Sequence, residues 1–290
     1  MSVRSHLEGS VLRVTLDNPP VNGLSHLVRT GLYELLENVR QSPEIQAVLI
    51  HGAGRCFSAG GDIRELGTAA GMAPPGLSSH IHPAIERCGK PVIAALHGLA
   101  FGGGFETALA CHYRVACAGT RIALPEVGLG IIPLSATQRL PRVLGLRVAL
   151  EMIVGQREYV AGDLRSMGLF DLVVAEPATL LDSSLRFAQE VLSRPGPYPL
   201  VREQKVPDTD PEAILEAWRV RLGAEGASET QRAALVAIAA SFQQPDFDAG
   251  LDRARTIYNE LYRSPEATAA RDAFLERRSE FARDRIPGSD

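Results

Sequence analysis

A chain of 290 residues has room for one large domain, or for one domain with an appendage. Apolar residues are 45% and charged residues 22%, ordinary globular usage that excludes disordered and fibrous classes. The formal net charge of −4 gives no electrostatic reason to expect nucleic acid or an anionic membrane surface as a partner.

The opening residues 1–8 are too polar for a signal peptide, and apolar runs such as 91–96 are far too short to span a bilayer. Cys56, Cys88, Cys111 and Cys117 form no C-x-x-C pair, and no histidines stand at zinc-finger spacing. A reduced cytoplasmic chain without a metal site is expected. Leu12, Val14 and Leu16 alternate with polar residues as a half-buried strand does, and 17–20 (Asp-Asn-Pro-Pro) stops it. Leu24, Val28, Leu32, Leu35 and Val39 then recur at helical spacing, with Asn22 or Ser25 available as N-cap. Residues 47–50 and 92–96 are continuous apolar runs bounded by Gly or Pro, which suits strands buried on both faces and implies βα crossovers. Residues 113–117 and 171–175 read as further short strands. From about Thr179 strand signals cease, and 180–192, 212–222, 228–242, 248–261 and 265–281 carry helical periodicity. The organisation expected is a β/α core over 1–195 and a helical region over 196–290.

The commoner chemical motifs fail. Residues 52–57 place Phe57 where a dinucleotide fingerprint needs its third glycine, and no P-loop, G-x-S-x-G or H-E-x-x-H is present. What remains are two Gly-rich junctions after strands, 57–62 (Phe-Ser-Ala-Gly-Gly-Asp) and 101–106 (Phe-Gly-Gly-Gly-Phe-Glu). Glycines let the backbone approach a ligand closely, and two junctions at adjacent strand ends could supply two N–H donors to one oxyanion. Two plain turns are the alternative. Glu106 follows the triple glycine directly, and Glu126 sits in the apolar stretch 122–133, where a carboxyl should have a raised pKa. Either could instead face solvent.

The strings 58–63, 98–106, 124–130, 137–142 and 168–174 come in the order seen in the enoyl-CoA hydratase/isomerase (crotonase) superfamily, which the chain resembles over about residues 10–195. The likeness is strongest to the N-terminal domain of multifunctional β-oxidation enzymes, through 111–116 and through Gly250-Leu251, Ser264, Ala267 and 274–278 of the tail. The resemblance implies an α/β fold, a repeated ββα spiral core followed by an all-helical C-terminal region. It implies an acyl-CoA thioester substrate, with coenzyme A as part of the substrate and no separate cofactor. The N–H groups of Ala59 and Gly103 would form the oxyanion hole. Glu106 would deprotonate the attacking water, and Glu126 would protonate the α-carbon. Main-chain groups at Ser58, Gly60 and Asp62 would wrap the coenzyme. Arg55 and Arg64 flank that junction and either meet its phosphates or lie as solvated surface groups. Hydration of a 2-enoyl thioester leads, Δ3,Δ2 isomerisation is the rival, and a silent scaffold is a third reading. A homotrimer, a dimer of trimers or a monomer all fit, with the tail folding back on its own core or covering a neighbour. One departure stands out: 133–138 (Pro-Leu-Ser-Ala-Thr-Gln) is a residue shorter than the family loop, lacks its glycines, and would back the second glutamate. His51, His97 and His112 read as core or edge residues, Cys111 and Cys117 as inert, and Trp218 as packing.

Overall fold

Short apolar runs flanked by turn residues assemble into two sheets. The computed structural model describes residues 2–194 and 196–283. β1 (Val3–Glu8) and β2 (Val11–Leu16) form an antiparallel hairpin at one edge. β3 (Ala47–Gly52), β4 (Val92–Leu96), β6 (Tyr113–Cys117) and β9 (Leu172–Val174) add in parallel, giving the order β1-β2-β3-β4-β6-β9. Every residue of β3 and β4 is buried, as continuous apolar runs require of strands covered on both faces. A second, three-stranded sheet holds β5 (Leu99–Phe101), β7 (Arg121–Ala123) and β8 (Tyr159–Val160).

Successive turns of the chain place one strand in each sheet and then a helix. β4 and β5 lead into α4 (Gly103–Ala110), and β6 and β7 lead toward α5 (Ala136–Ile153). This spiral stacks equivalent junctions side by side, and a bridge joins Ser58 to Ala100. α1 (His26–Gln41) starts at Ser25, whose hydroxyl accepts from the Val28 N–H. Its buried stripe is Val28, Leu32, Leu36 and Val39, so Leu36 replaces the expected Leu35, which is only half-buried, while Leu24 precedes the helix. Each fully buried leucine or valine there contributes about 2 kcal/mol. The other cap candidate, Asn22 (φ 51), spans the junction by donating to the carbonyls of Ala53 and Cys56, both at 2.8 Å. Between β3 and β4 lie the short helices α2 (Ala69–Met72) and α3 (His82–Glu86). α6 (Leu180–Leu192) covers the outer sheet face, with Leu180, Phe187 and Val191 on Leu49, Ile93 and Val115.

The helical region holds α7 (Pro211–Glu225), α8 (Glu229–Gln243), α9 (Phe247–Tyr262) and α10 (Pro265–Arg283), close to the ranges read from periodicity. Ile257 and Leu261 are buried as expected, whereas the side chain of Phe281 lies outside the described residues. The region returns to its own chain. The Gly67 N–H donates to the Tyr262 hydroxyl at 2.7 Å, and α10 lies on the turn after β7. At that contact Gly130 has φ +75, and a Cβ on it would lie 2.5 Å from Ala267 Cα. Gly130→Val should therefore push α10 away and cost about 1–3 kcal/mol in denaturant unfolding. An unchanged midpoint would mean that α10 contributes nothing at this contact. Among the described residues no helix is long and apolar enough to cross a membrane.

Candidate active site

The chain leaves β5 at Phe101 and turns through Gly102 (φ +50) into α4, whose first turn delivers Glu106. The side chain is buried and points at the start of α5. There Oε1 accepts from the Ser135 N–H at 2.7 Å, the Ser135 hydroxyl at 3.2 Å and the Ala136 N–H at 2.8 Å. These N–H groups are the unpaired donors of a helix N-terminus, whose dipole also favours a carboxylate. Burial pushes the Glu106 carboxyl up, and the donors and the charge of Arg139 oppose that rise. Arg139, one turn along α5, is itself buried against Glu86 at 2.6 Å. With Oε1 held, Oε2 is the oxygen left to work, and it lies 3.9 Å from where a Cβ on Gly103 would be. The loop 134–136 thus backs the first glutamate, not the second as the resemblance suggested. Ser135 stands at the N-cap of α5 and turns both its N–H and its hydroxyl to Glu106.

Glu126 sits in the 3-10 turn Pro125–Leu129. Its Oε2 is buried with no hydrogen-bond partner among the described residues, which excludes the solvent-facing alternative. Gly102 makes the room, since a Cβ there would lie 2.5 Å from Glu126 Oε1. Burial, and then the charge of Glu106, push the Glu126 carboxyl well above its ordinary value. One carboxylate has three donors and its neighbour has a bare oxygen. The three donors favour charge on Glu106 over charge on Glu126.

The first junction is more tightly used than its sequence suggests. The Ser58 N–H donates to Leu99 O at 3.3 Å, the Ala59 N–H to Val21 O at 2.9 Å and the Gly60 N–H to Ser58 Oγ at 3.1 Å. Ala59 is therefore not an available oxyanion donor, a correction to the motif-based expectation. Gly61 is the residue whose N–H has no partner among the described residues. The Gly103 N–H, at the first position of α4, is likewise an orphan helix donor. A Cβ on Gly60 would lie 3.0 Å from Gly103 N, and one on Gly103 would lie 3.5 Å from Gly61 N. The two free N–H groups thus stand side by side about Gly60, whose φ of +91 and missing Cβ allow the approach. Ser58 and Gly60 are corrected too. Ser58 is fully buried with its hydroxyl on Asn22 O at 2.7 Å, and Gly60 O accepts from Leu24, so both build the turn rather than face a ligand.

Asp62 caps the next turn, accepting from the Arg64 N–H at 3.1 Å and from Arg64 Nε at 2.9 Å. The Arg64 guanidinium holds the Asp62 carboxyl below its usual range, and the pair stands at the exposed end of the junction. Arg55 lies nearby with Nε on Pro20 O at 3.1 Å. An open groove of about 750 Å³ on the outer sheet face, lined by Arg4, His6, His51 and His97 among others, contains none of these residues. His51 bonds Thr15 and His112 accepts from the Val92 N–H, consistent with packing roles. Burial pushes the Cys111 and Cys117 thiols up to about 12 and about 11, which leaves them unreactive. Trp218 is buried in the core.

Residues 6–204 match the protein family described as enoyl-CoA hydratase/isomerase. The peroxisomal bifunctional enzyme of Homo sapiens is 35% identical over 290 residues, which cover 96% of this chain and 38% of that enzyme. This chain thus spans well under half the length of those bifunctional relatives. A probable enoyl-CoA hydratase of Bacillus subtilis is 38% identical over 181 residues, 60% of this chain and 70% of that protein. Among solved structures, an enoyl-CoA hydratase of Bacillus anthracis superposes with a TM-score of 0.63 at 26% identity, over 96% of this chain and 97% of its own. An enoyl-CoA hydratase/isomerase of Pseudoalteromonas atlantica shares the fold with a TM-score of 0.70 over the whole of both chains, at 23% identity. With the spiral core, the two glycine junctions and the paired glutamates in place, the chain belongs to the enoyl-CoA hydratase/isomerase (crotonase) family.

Proposed function

We propose that this crotonase-family enzyme hydrates 2-enoyl-CoA thioesters to 3-hydroxyacyl-CoA. The observation that carries the reading is the unequal dressing of two adjacent carboxylates, three donors on Glu106 and a bare buried oxygen on Glu126. Addition of water needs a base and an acid at once, and this pair supplies both. The thioester oxygen accepts from the Gly61 and Gly103 N–H groups, which stabilise the negative charge it gains as C3 is attacked. Glu106 Oε2 takes a proton from water while the water oxygen bonds to C3. The electrons of the C2=C3 bond move toward the thioester oxygen, and C2 takes its proton from the Glu126 carboxyl. Both carboxylates border the Gly102–Gly103 turn, and the reading has the elements of water add syn. Asp62 and Arg64 lie toward the coenzyme, and coenzyme A carried by the substrate is the only cofactor the reading needs. The helical region 196–290 is proposed as a cap on its own 1–195 core, through the Tyr262 and Ala267 contacts.

Isomerisation needs only one shuttling base, which leaves the division of labour between the two glutamates without a purpose. The test is turnover of short, medium and long 2-enoyl-CoA thioesters, followed as loss of the conjugated-thioester absorbance. A 3-enoyl thioester is run beside them, where isomerisation appears as a gain. Hydration of the 2-enoyl series supports the reading. Gain with the 3-enoyl substrate and no loss with any 2-enoyl substrate overturns it in favour of the isomerase.

A further inference from the structure

The segment from Gly61 to Leu77 begins at one free N–H and ends at a side chain standing over the other. Leu77 Cδ1 lies 2.7 Å from where a Cβ on Gly103 would be. At both its ends this segment therefore lies beside a carbonyl seated on Gly61 and Gly103. Its own packing cannot fix it, because none of residues 61–74 is buried and Met72 is 71% exposed.

The Tyr262 hydroxyl holds it at Gly67, and a single side chain from α1 gathers its far half. Arg29, 7% exposed, donates through Nε to Pro75 O at 2.9 Å and through Nη2 to Ala70 O at 2.9 Å, Ala73 O at 3.3 Å and Gly71 O at 3.4 Å. Its Nη1 reaches back to Leu24 O at 3.2 Å, beside the first junction, and lies 3.7 Å from the Glu65 carboxylate. Glu65 in turn accepts the His26 N–H at 2.7 Å, and His26 Nε2 meets Pro74 O at 2.9 Å. A rigid, permanently charged fork is suited to gathering several carbonyls at fixed angles, which a lysine could not do. The segment folds so closely on itself that a Cβ on Gly71 would overlap the Glu65 carbonyl oxygen.

We infer that Arg29 is a positioning residue that holds residues 65–77 as a wall of the acyl channel and so sets acyl-chain selectivity without touching substrate. The inference rests on the enoyl-thioester reading above. Freeing the wall leaves the thioester seat and both glutamates in place but lets the channel accommodate chains it otherwise rejects.

The experiment compares Arg29→Met and Gly71→Ala with the native chain. The second variant keeps the guanidinium and opens the segment by a clash, so it stands in if loss of Arg29 prevents folding. Two readouts are taken: kcat/KM across four- to sixteen-carbon 2-enoyl thioesters, and thermolysin cleavage within 66–77 without substrate. In either variant, cleavage should rise at least about tenfold. The spread of kcat/KM between the best and worst chain lengths should narrow at least about tenfold, with four-carbon kcat within about threefold of native. An unchanged spread despite faster cleavage overturns the inference, as does an equal loss at every chain length with cleavage unchanged. A native chain that turns over no 2-enoyl thioester overturns the functional reading and the selectivity role with it. That outcome is distinct from failure of Arg29 alone, because it is seen before any substitution is made.

Discussion

Glu106→Gln and Glu126→Gln are each expected to lower hydratase kcat by about 10²–10⁴, the usual worth of a positioned acid or base, with thioester affinity little changed. The glutamine at 106 can still accept from Ser135 and Ala136 through its carbonyl, so the start of α5 keeps its partner and the fold is spared. What it loses is the ability of the second oxygen to take a proton from water. The glutamine at 126 fills the space beside Gly102 and cannot deliver a proton to carbon. The native pH profile should be bell-shaped. Glu106 must be ionised, so activity falls as pH drops through the raised value of that group. Glu126 must be protonated, so activity falls again as pH rises through the raised value of that carboxyl. The two limbs belong to the pair rather than to either residue alone. In Glu106→Gln the charge that helps raise Glu126 is gone, so the alkaline limb of residual activity should move to lower pH. Near-native turnover in both variants would defeat the mechanism even with the fold intact, and an alkaline limb that does not move would separate the two carboxylates electrostatically.

The parts of this site that announce themselves in sequence are those made by neighbours. Strands β3 and β4 are legible because burial on both faces demands continuous apolar runs. β1 is not, since an edge strand exposed along most of its length carries no such pattern. α5 escapes notice because Pro141 and Gly145 look like breakers, whereas the helix tolerates the first near its start and kinks at the second (φ 77). Glu106 and Glu126 stand out through a triple glycine and an apolar surround. Their partners do not: Ser135 grips Glu106 from 29 residues away, a meeting fixed by the spiral rather than by spacing. The same holds for the oxyanion donors. Motif alignment points to the right turn, but which of its four consecutive N–H groups stays unpaired is decided by the Ser58 hydroxyl and by the carbonyls of Val21 and Leu99, which only the folded chain brings there.

That distinction has a direct kinetic consequence. A Cβ on Gly61 meets nothing within 4 Å, so Gly61→Ala keeps both the space and the N–H and should retain activity close to native. Gly61→Pro removes the N–H and also fixes φ at 61 and restricts Gly60, so a loss in kcat of at least about 10²–10³, the worth of one oxyanion donor, is expected. Ala59→Pro removes instead the bond to Val21 O, a structural loss of about 0.5–1.5 kcal/mol in unfolding free energy, and should spare most of the rate. Gly103→Pro deletes the second donor and also brings a Cβ to 2.7 Å from Leu77 Cδ1, so its rate loss should be at least that of Gly61→Pro. The measurements are single-turnover rates on one short 2-enoyl thioester, beside denaturant midpoints for every variant. A folded Gly61→Pro with native rate, together with an Ala59→Pro that is inactive at native stability, would return the donor to Ala59. The pattern expected here is the reverse, because an N–H already bonded at 2.9 Å within the fold has no proton left to offer an oxyanion.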